Sequence, residues 1–200
     1  MTTPLSRRWG ALVVIGAIAA ILHGHATAAA PARTVGVVEF YALSPLTPFE
    51  GGVPEEYAAD DASRILPRIA GDQFAVIPRG TMRQAESALG WRPWDVLSYA
   101  RLGRLAGRVG ADDLVVGWIR LLHLDTEGPG IGRLRFGRPL SGSANVLLQI
   151  FDARGGRIAA EAPGDGYTIG QVRTFVAEEV LHQATAQALP RLFAKLASAP

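Results

Sequence analysis

No cysteine occurs in the 200 residues of this sequence. That excludes disulfides, thiolate metal sites, a thiol nucleophile and a lipid-modified cysteine. Histidine is scarce as well. His23 and His25 fall in the N-terminal segment, which leaves His123 and His182 for the rest. A metal site wants three or four convergent ligands. His123 and Asp125 share one side of a strand end, with Glu127 following, and read as a polar strand terminus. There is no G-x-S-x-G elbow, and Ser141 and Ser143 flank Gly142 with no histidine placed locally as a base. Gly128-Pro129-Gly130-Ile131-Gly132 lacks both the Gly-Lys-Ser/Thr ending of a P-loop and the helix a dinucleotide turn requires. The expectation is therefore no catalytic residue, no cofactor and no metal. The longest apolar run, Gly10 to Leu22, has 13 residues, short of the roughly 18–20 that span a bilayer.

The charges that are present are unevenly placed. The chain carries 20 basic and 18 acidic side chains, and its isoelectric point is about 9.4. Residues 1–28 hold Arg7 and Arg8 and no acid, so the remainder carries 20 − 2 = 18 basic against 18 acidic groups. A net-neutral body does not read as a nucleic-acid binder.

The N-terminus has the layout of a signal peptide: Arg7 and Arg8, the apolar run, then Ala26-Thr27-Ala28 as a small-x-small cleavage site. Cleavage is expected after Ala28, giving an exported, periplasmic protein, with an uncleaved N-terminal anchor as the alternative. Ser6-Arg7-Arg8 partly matches a twin-arginine signal, so the export route stays open.

The expected organisation is a 1–28 signal peptide, a 29–33 tether and a single 34–197 domain. Thr34–Tyr41 reads as a buried strand and Pro54 to about Leu66 as a helix, which Pro67 ends or kinks. Gln73–Pro78 is a short strand. Thr81 and Gln84 have capping-box spacing for a helix that stops at Gly90. Pro93 opens another helix, ending near Gly110, with Leu102, Leu105, Ala106 and Val109 as its core stripe. Asp113–Leu124 reads as a central strand, 125–142 as a long loop, and Ser143–Phe151 with Arg157–Ala162 as a hairpin around Asp152–Gly156, extended by Gly166–Gly170. A helix from Gln171 to Leu196 closes the chain, interrupted by Pro190. The fold class is an α/β sandwich with a mixed sheet of about five strands, in the order β-α-β-α-α-β-β-β-α.

Two arginine groups are the candidate partner-binding residues. Arg101, Arg104 and Arg108 recur at i, i+3 and i+7 near Arg92, and Arg133, Arg135 and Arg138 line the Gly-rich segment. The acidic doublets Glu55-Glu56, Asp60-Asp61, Asp112-Asp113 and Glu178-Glu179 read as solvated, because neighbours on a helix diverge by about 100°.

Four phrases occur in a particular order: Val37-Val38-Glu39-Phe40, Phe74-Ala75-Val76-Ile77-Pro78-Arg79, Gly110-Ala111-Asp112-Asp113-Leu114-Val115-Val116-Gly117, and Asp152 to Gly156. In this the chain resembles bacterial cell-envelope proteins of the CsgG / TolB N-terminal / LpoB-like group, over nearly all of 34–197. The resemblance implies a periplasmic or outer-membrane-associated domain that works by protein contacts and has no catalytic residues. Curli-pore and LpoB-like members are lipoproteins, and this sequence has no cysteine to acylate. A membrane-spanning strand needs about 9–11 alternating residues, whereas Arg133, Arg135, Arg138 and Pro139 crowd the available segment.

The functional expectation is a non-enzymatic exported envelope domain binding an envelope protein or an anionic envelope component, as an assembly, secretion, wall or transport accessory factor. Homo-oligomerisation and peripheral membrane contact are compatible with it. An oligomeric outer-membrane secretion pore component and a secreted hydrolase with a dispersed site are the alternatives.

Overall fold

The computed structural model describes residues 32–43, 53–125, 140–170 and 172–198. The expected signal segment, the Gly128–Gly132 run and Arg133, Arg135 and Arg138 lie outside the described residues.

Among these residues six strands and four helices follow one another: β1 (Arg33–Val37), β2 (Tyr41–Ala42), α1 (Pro54–Ala70), β3 (Phe74–Val76), α2 (Arg79–Ala88), α3 (Tyr99–Val109), β4 (Asp113–Asp125), β5 (Leu140–Asp152), β6 (Arg157–Gly170) and α4 (Arg173–Ala197). The sheet order is β3-β1-β4-β5-β6, with β2 also paired to β4. Pairing is parallel from β3 through β1 to β4, and antiparallel from β4 through β5 to β6. The mixed α/β class and the central place of β4 agree with the sequence reading.

The expected single strand 34–41 is interrupted. Val37 pairs with Val115 and Tyr41 with Trp118, so four steps on one strand face three on the other. This is a bulge. It turns Phe40 onto the same sheet face as Val37, where its ring fills the space left by Gly117, at which an added Cβ would lie 2.4 Å from that ring.

Three other expectations are corrected. Helix α2 begins at Arg79 behind Pro78, with no side-chain cap, so Thr81 and Gln84 form no capping box. The helix expected from Pro93 is a 3-10 turn, Pro93–Leu97, broken at extended Ser98 before α3 starts. Pro67 and Pro190 both sit inside continuous helices. Each is on its helix's exposed face, so the carbonyl it leaves unbonded, four residues earlier, is within reach of water.

One face of the sheet is covered by α1 and α4, which enclose Val37, Phe40, Val115, Ile119, Val146, Leu148, Leu181 and Leu189 among others. The other face is covered by α2 and α3 only over Val38, Leu114, Val116 and Phe151. Beyond Trp118 that second face has no cover among the described residues, and Arg120, Leu121 and His123 are exposed.

The outer strand β6 is closed by α4. Lys195 Nζ donates to the Glu161 carbonyl (2.8 Å) and Arg191 Nη1 to that of Pro163 (3.3 Å). The N–H groups of Asp165 and Tyr167 donate to Gln187 Oε1 (2.8 Å) and Gln183 Oε1 (3.1 Å). Two strand residues advance about 6.8 Å and four helix residues about 6 Å, so side chains every fourth residue meet backbone groups every second residue. Gly164 and Gly166 permit the approach, since a Cβ at either would lie 2.0 Å from an α4 carbonyl oxygen. The ladder satisfies an edge that would otherwise be free to pair with another chain.

Candidate functional site

The α3 arginines divide into one structural residue and two free ones. Asp95 accepts from the Arg92 N–H (3.0 Å) and from Arg101 Nη2 (2.5 Å). Arg101 Nη2 also donates to the Leu89 and Gly90 carbonyls (3.1 and 3.2 Å), and its guanidinium lies 5.8 Å from the Trp91 ring centroid. The hydrogen bond from Arg101 above all, helped by the Arg92 backbone, holds the Asp95 carboxyl below its usual range. Arg101 is therefore a clamp that fixes the 89–98 segment, and mutating it would disturb the fold.

Arg104 and Arg108 are exposed and lie opposite the buried stripe Leu102, Leu105 and Ala106. Arg92 is exposed, with its guanidinium 5.4 Å from the Trp94 ring centroid. On the same clamped segment Trp94, Leu97 and Tyr99 are 53%, 62% and 52% exposed. Large apolar side chains at that exposure make this turn and the start of α3 a candidate contact surface. The sequence reading named the arginines and missed these three side chains. Trp94 and Leu97 fall within a segment it took for an ordinary helix.

A second surface is the open sheet face. Trp118 Nε1 donates to Gln149 Oε1 (2.9 Å), and Gln149 Nε2 donates to Glu161 Oε2 (3.1 Å). Leu43, Arg120, Leu147 and Pro163 complete a groove of about 510 Å³ around this row. Further along, the pairing sets His123 opposite Ser143 and Asp125 opposite Ser141. A histidine is thus near Ser143 after all, brought there by the hairpin. No serine–histidine or histidine–aspartate hydrogen bond links these four, and His123 is exposed.

A third cluster lies beyond the end of β1. Glu86 accepts from the Glu39 N–H (3.0 Å) and from Arg79 Nη1 (2.8 Å), and Asp60 accepts from Arg79 Nε (3.3 Å) and Arg83 Nη2 (2.7 Å). Burial first, and then repulsion from Glu86, push the Glu39 carboxyl up. The Arg79–Glu86 pair is buried and the Arg83–Asp60 pair lies at the surface, so the cluster reads as an ionic lock between α1, α2 and β1 with a buried inner end.

Two acidic doublets are not simply solvated. Asp61 is buried, 2.9 Å from His182 Nδ1, whereas Asp60 is half-exposed. Asp113 is buried and accepts from Arg33 Nη2 at 2.7 Å, whereas Asp112 binds Arg154 at the surface. Divergence of neighbours sends one member of each doublet inward, where a cation or an imidazole meets it. Among the described residues no cluster of three or more metal-ligating side chains is present, and no helix is long and apolar enough to cross a membrane.

The described residues thus define a mixed α/β domain with a half-open sheet and a clamped aromatic–arginine corner. Its fold is similar to that of lipoprotein GNA1162 from Neisseria meningitidis, with a TM-score of 0.51 at 12% identity, over 68% of this chain and 83% of that one. The C-terminal domain of LpoB from Salmonella enterica aligns over 74% of this chain and 90% of that one, at 14% identity and a TM-score of 0.40. The PelC dodecamer from Paraburkholderia phytofirmans aligns over 82% of this chain and 87% of that one, at 13% identity and a TM-score of 0.42. Of these three, the GNA1162 superposition alone exceeds 0.5, and the likeness in fold rests on it. No family model and no curated protein sequence matches the chain.

Proposed function

We propose that this protein is exported to the bacterial cell envelope, loses residues 1–28, and acts there without catalysis by binding an envelope protein or an anionic envelope component. The observation that carries the reading is the corner from Arg92 to Arg108. It presents three exposed apolar side chains and three exposed arginines on a segment held rigid by Arg101 and Asp95. Rigidity matters because a surface already ordered loses little entropy on binding. The small-x-small site at Ala26–Ala28 supports export, and so does the likeness in fold to a protein named as a lipoprotein.

Photo-crosslinking in intact cells tests it. A photoreactive residue replacing Ala100, which is exposed on the solvent face of α3, should give an adduct in the envelope fraction. Arg104→Glu with Arg108→Glu should lower the yield by roughly tenfold, as expected for reversal of charges that steer association. An unprocessed chain in the cytosol, or a yield unchanged by the double reversal, would overturn the reading.

A further inference from the structure

We infer that the Arg92–Arg108 corner docks on an anionic lipid surface, with Trp94, Leu97 and Tyr99 entering the headgroup boundary and Arg92, Arg104 and Arg108 meeting lipid phosphates. Lipid docking presupposes the export proposed above and names the partner of that same surface.

Three observations favour it. The first is amphipathic chemistry in one short stretch. Within six residues the chain exposes a tryptophan, a leucine and a tyrosine, each by more than half. Aromatic rings with a polar edge settle at the membrane–water boundary. The arginine stacked on Trp94 brings its charge to the level of the ring.

The second is local charge. The segment 91–110 contains Arg92, Arg101, Arg104 and Arg108 against one acid, Asp95. Asp95 is neutralised by Arg101. Arg92, Arg104 and Arg108 form no ion pair among the described residues, although the Arg92 charge acts on Asp95. The corner therefore offers three unpaired positive charges on a body of no net charge.

The third is shape. The apolar side chains stand on a turn and at the start of a helix, and line none of the three cavities around Asp60, Trp118 and Glu39. Exposed rather than sunk in those hollows, Trp94 and Leu97 suit a medium that flows around them, while the Tyr99 ring rests 5.7 Å from that of Phe151.

Vesicle flotation of the purified chain tests the proposal, comparing variants with the parent so that any contribution of the N-terminal segment cancels. The parent should float with phosphatidylglycerol vesicles, bind phosphatidylcholine vesicles less, and lose binding as salt rises. At about 1 kcal/mol per arginine near an anionic surface, Arg104→Glu with Arg108→Glu should weaken partitioning by at least about tenfold. Trp94→Ala with Leu97→Ala should weaken it on both lipids. Tyr167→Ser with Ile169→Ser, at another exposed apolar site, should leave it unchanged. All three substituted pairs of the comparison are surface positions, so circular dichroism should match the parent. Binding unaffected at the corner, or lost equally at Tyr167 and Ile169, would overturn the proposal. Crosslinking to an envelope protein without vesicle binding would overturn lipid docking and leave the broader reading standing; failure of both would remove both.

Discussion

Asp113 shows how much one side chain adds to what its sequence neighbours suggest. It is fully buried at the head of β4, with Oδ1 bonded to Arg33 and Oδ2 without a partner. Burial chiefly, opposed by Arg33 and reinforced by Asp152, raises its pKa to about 6. In the unfolded chain the value is near 3.9. Between these two values the folded state holds the proton more tightly, so folding stability rises as pH falls through 6 and is lost as pH climbs back. Above 6 the effect is flat. Two units correspond to at most about 3 kcal/mol, and the burial-raised Glu39 acts in the same direction. Asp95 and Asp112, held below the usual carboxylate range by their arginine and backbone partners, respond only in stronger acid. Urea titrations should therefore show the parent more stable at pH 5 than at pH 7, with most of that difference absent from Asp113→Asn. An equal difference in the variant would assign the effect elsewhere. The doublet Asp112-Asp113 could not disclose this from sequence, because which member turns inward depends on the pairing of Asp113 with β1 and β5.

Helices and strands were more legible than the contacts between them. The core stripe of α3, the Gly110 stop and the centrality of β4 follow from periodicity and turn chemistry that act within a few residues. The bulge at Val38–Phe40 does not, since a run of buried apolar residues looks alike on either face of a sheet. The spacing Gln183, Gln187, Arg191 and Lys195 was visible, and its meaning came only with β6 lying alongside. The same holds for glycines. Gly103 and Gly107 lie within α3 with open space where a Cβ would stand, so Gly107→Ala should stabilise the protein by about 0.5–1 kcal/mol, the usual cost of helical glycine. At Gly166 a Cβ would lie 2.0 Å from the Val180 carbonyl oxygen. Gly166→Ala must then push α4 from the sheet, costing about 1–3 kcal/mol as overpacking does and loosening the ladder that guards the β6 edge. Thermal melts of the two variants should move in opposite directions. The arginine corner was legible in part: its charges have a helical period, whereas the exposure of Trp94 and Leu97 depends on the break at Ser98.

Charge ties the parts to the fate of the chain. The high isoelectric point, about 9.4, comes from Arg7 and Arg8, while the residues after Ala28 balance at 18 basic and 18 acidic groups. A body of zero net charge has no strong long-range field, so a cationic corner acts within about a Debye length, roughly 8 Å at physiological salt. Under the proposed lipid docking, such a body would approach an anionic surface without general attraction and be held only when the corner faces it. Orientation would then follow from placement, with α3 toward the surface and the open sheet face, on the same side of the sheet as α2 and α3 but beyond their cover, left beside it. Processing should be visible in the same charge balance. Removal of residues 1–28 takes away two positive charges and no negative one, so the isoelectric point should drop to near neutrality. Isoelectric focusing of the chain recovered from expressing cells checks this, with mass spectrometry expected to read Ala29 as the first residue. A band that stays near 9.4, with Met1 retained, would mean that the N-terminal segment remains attached.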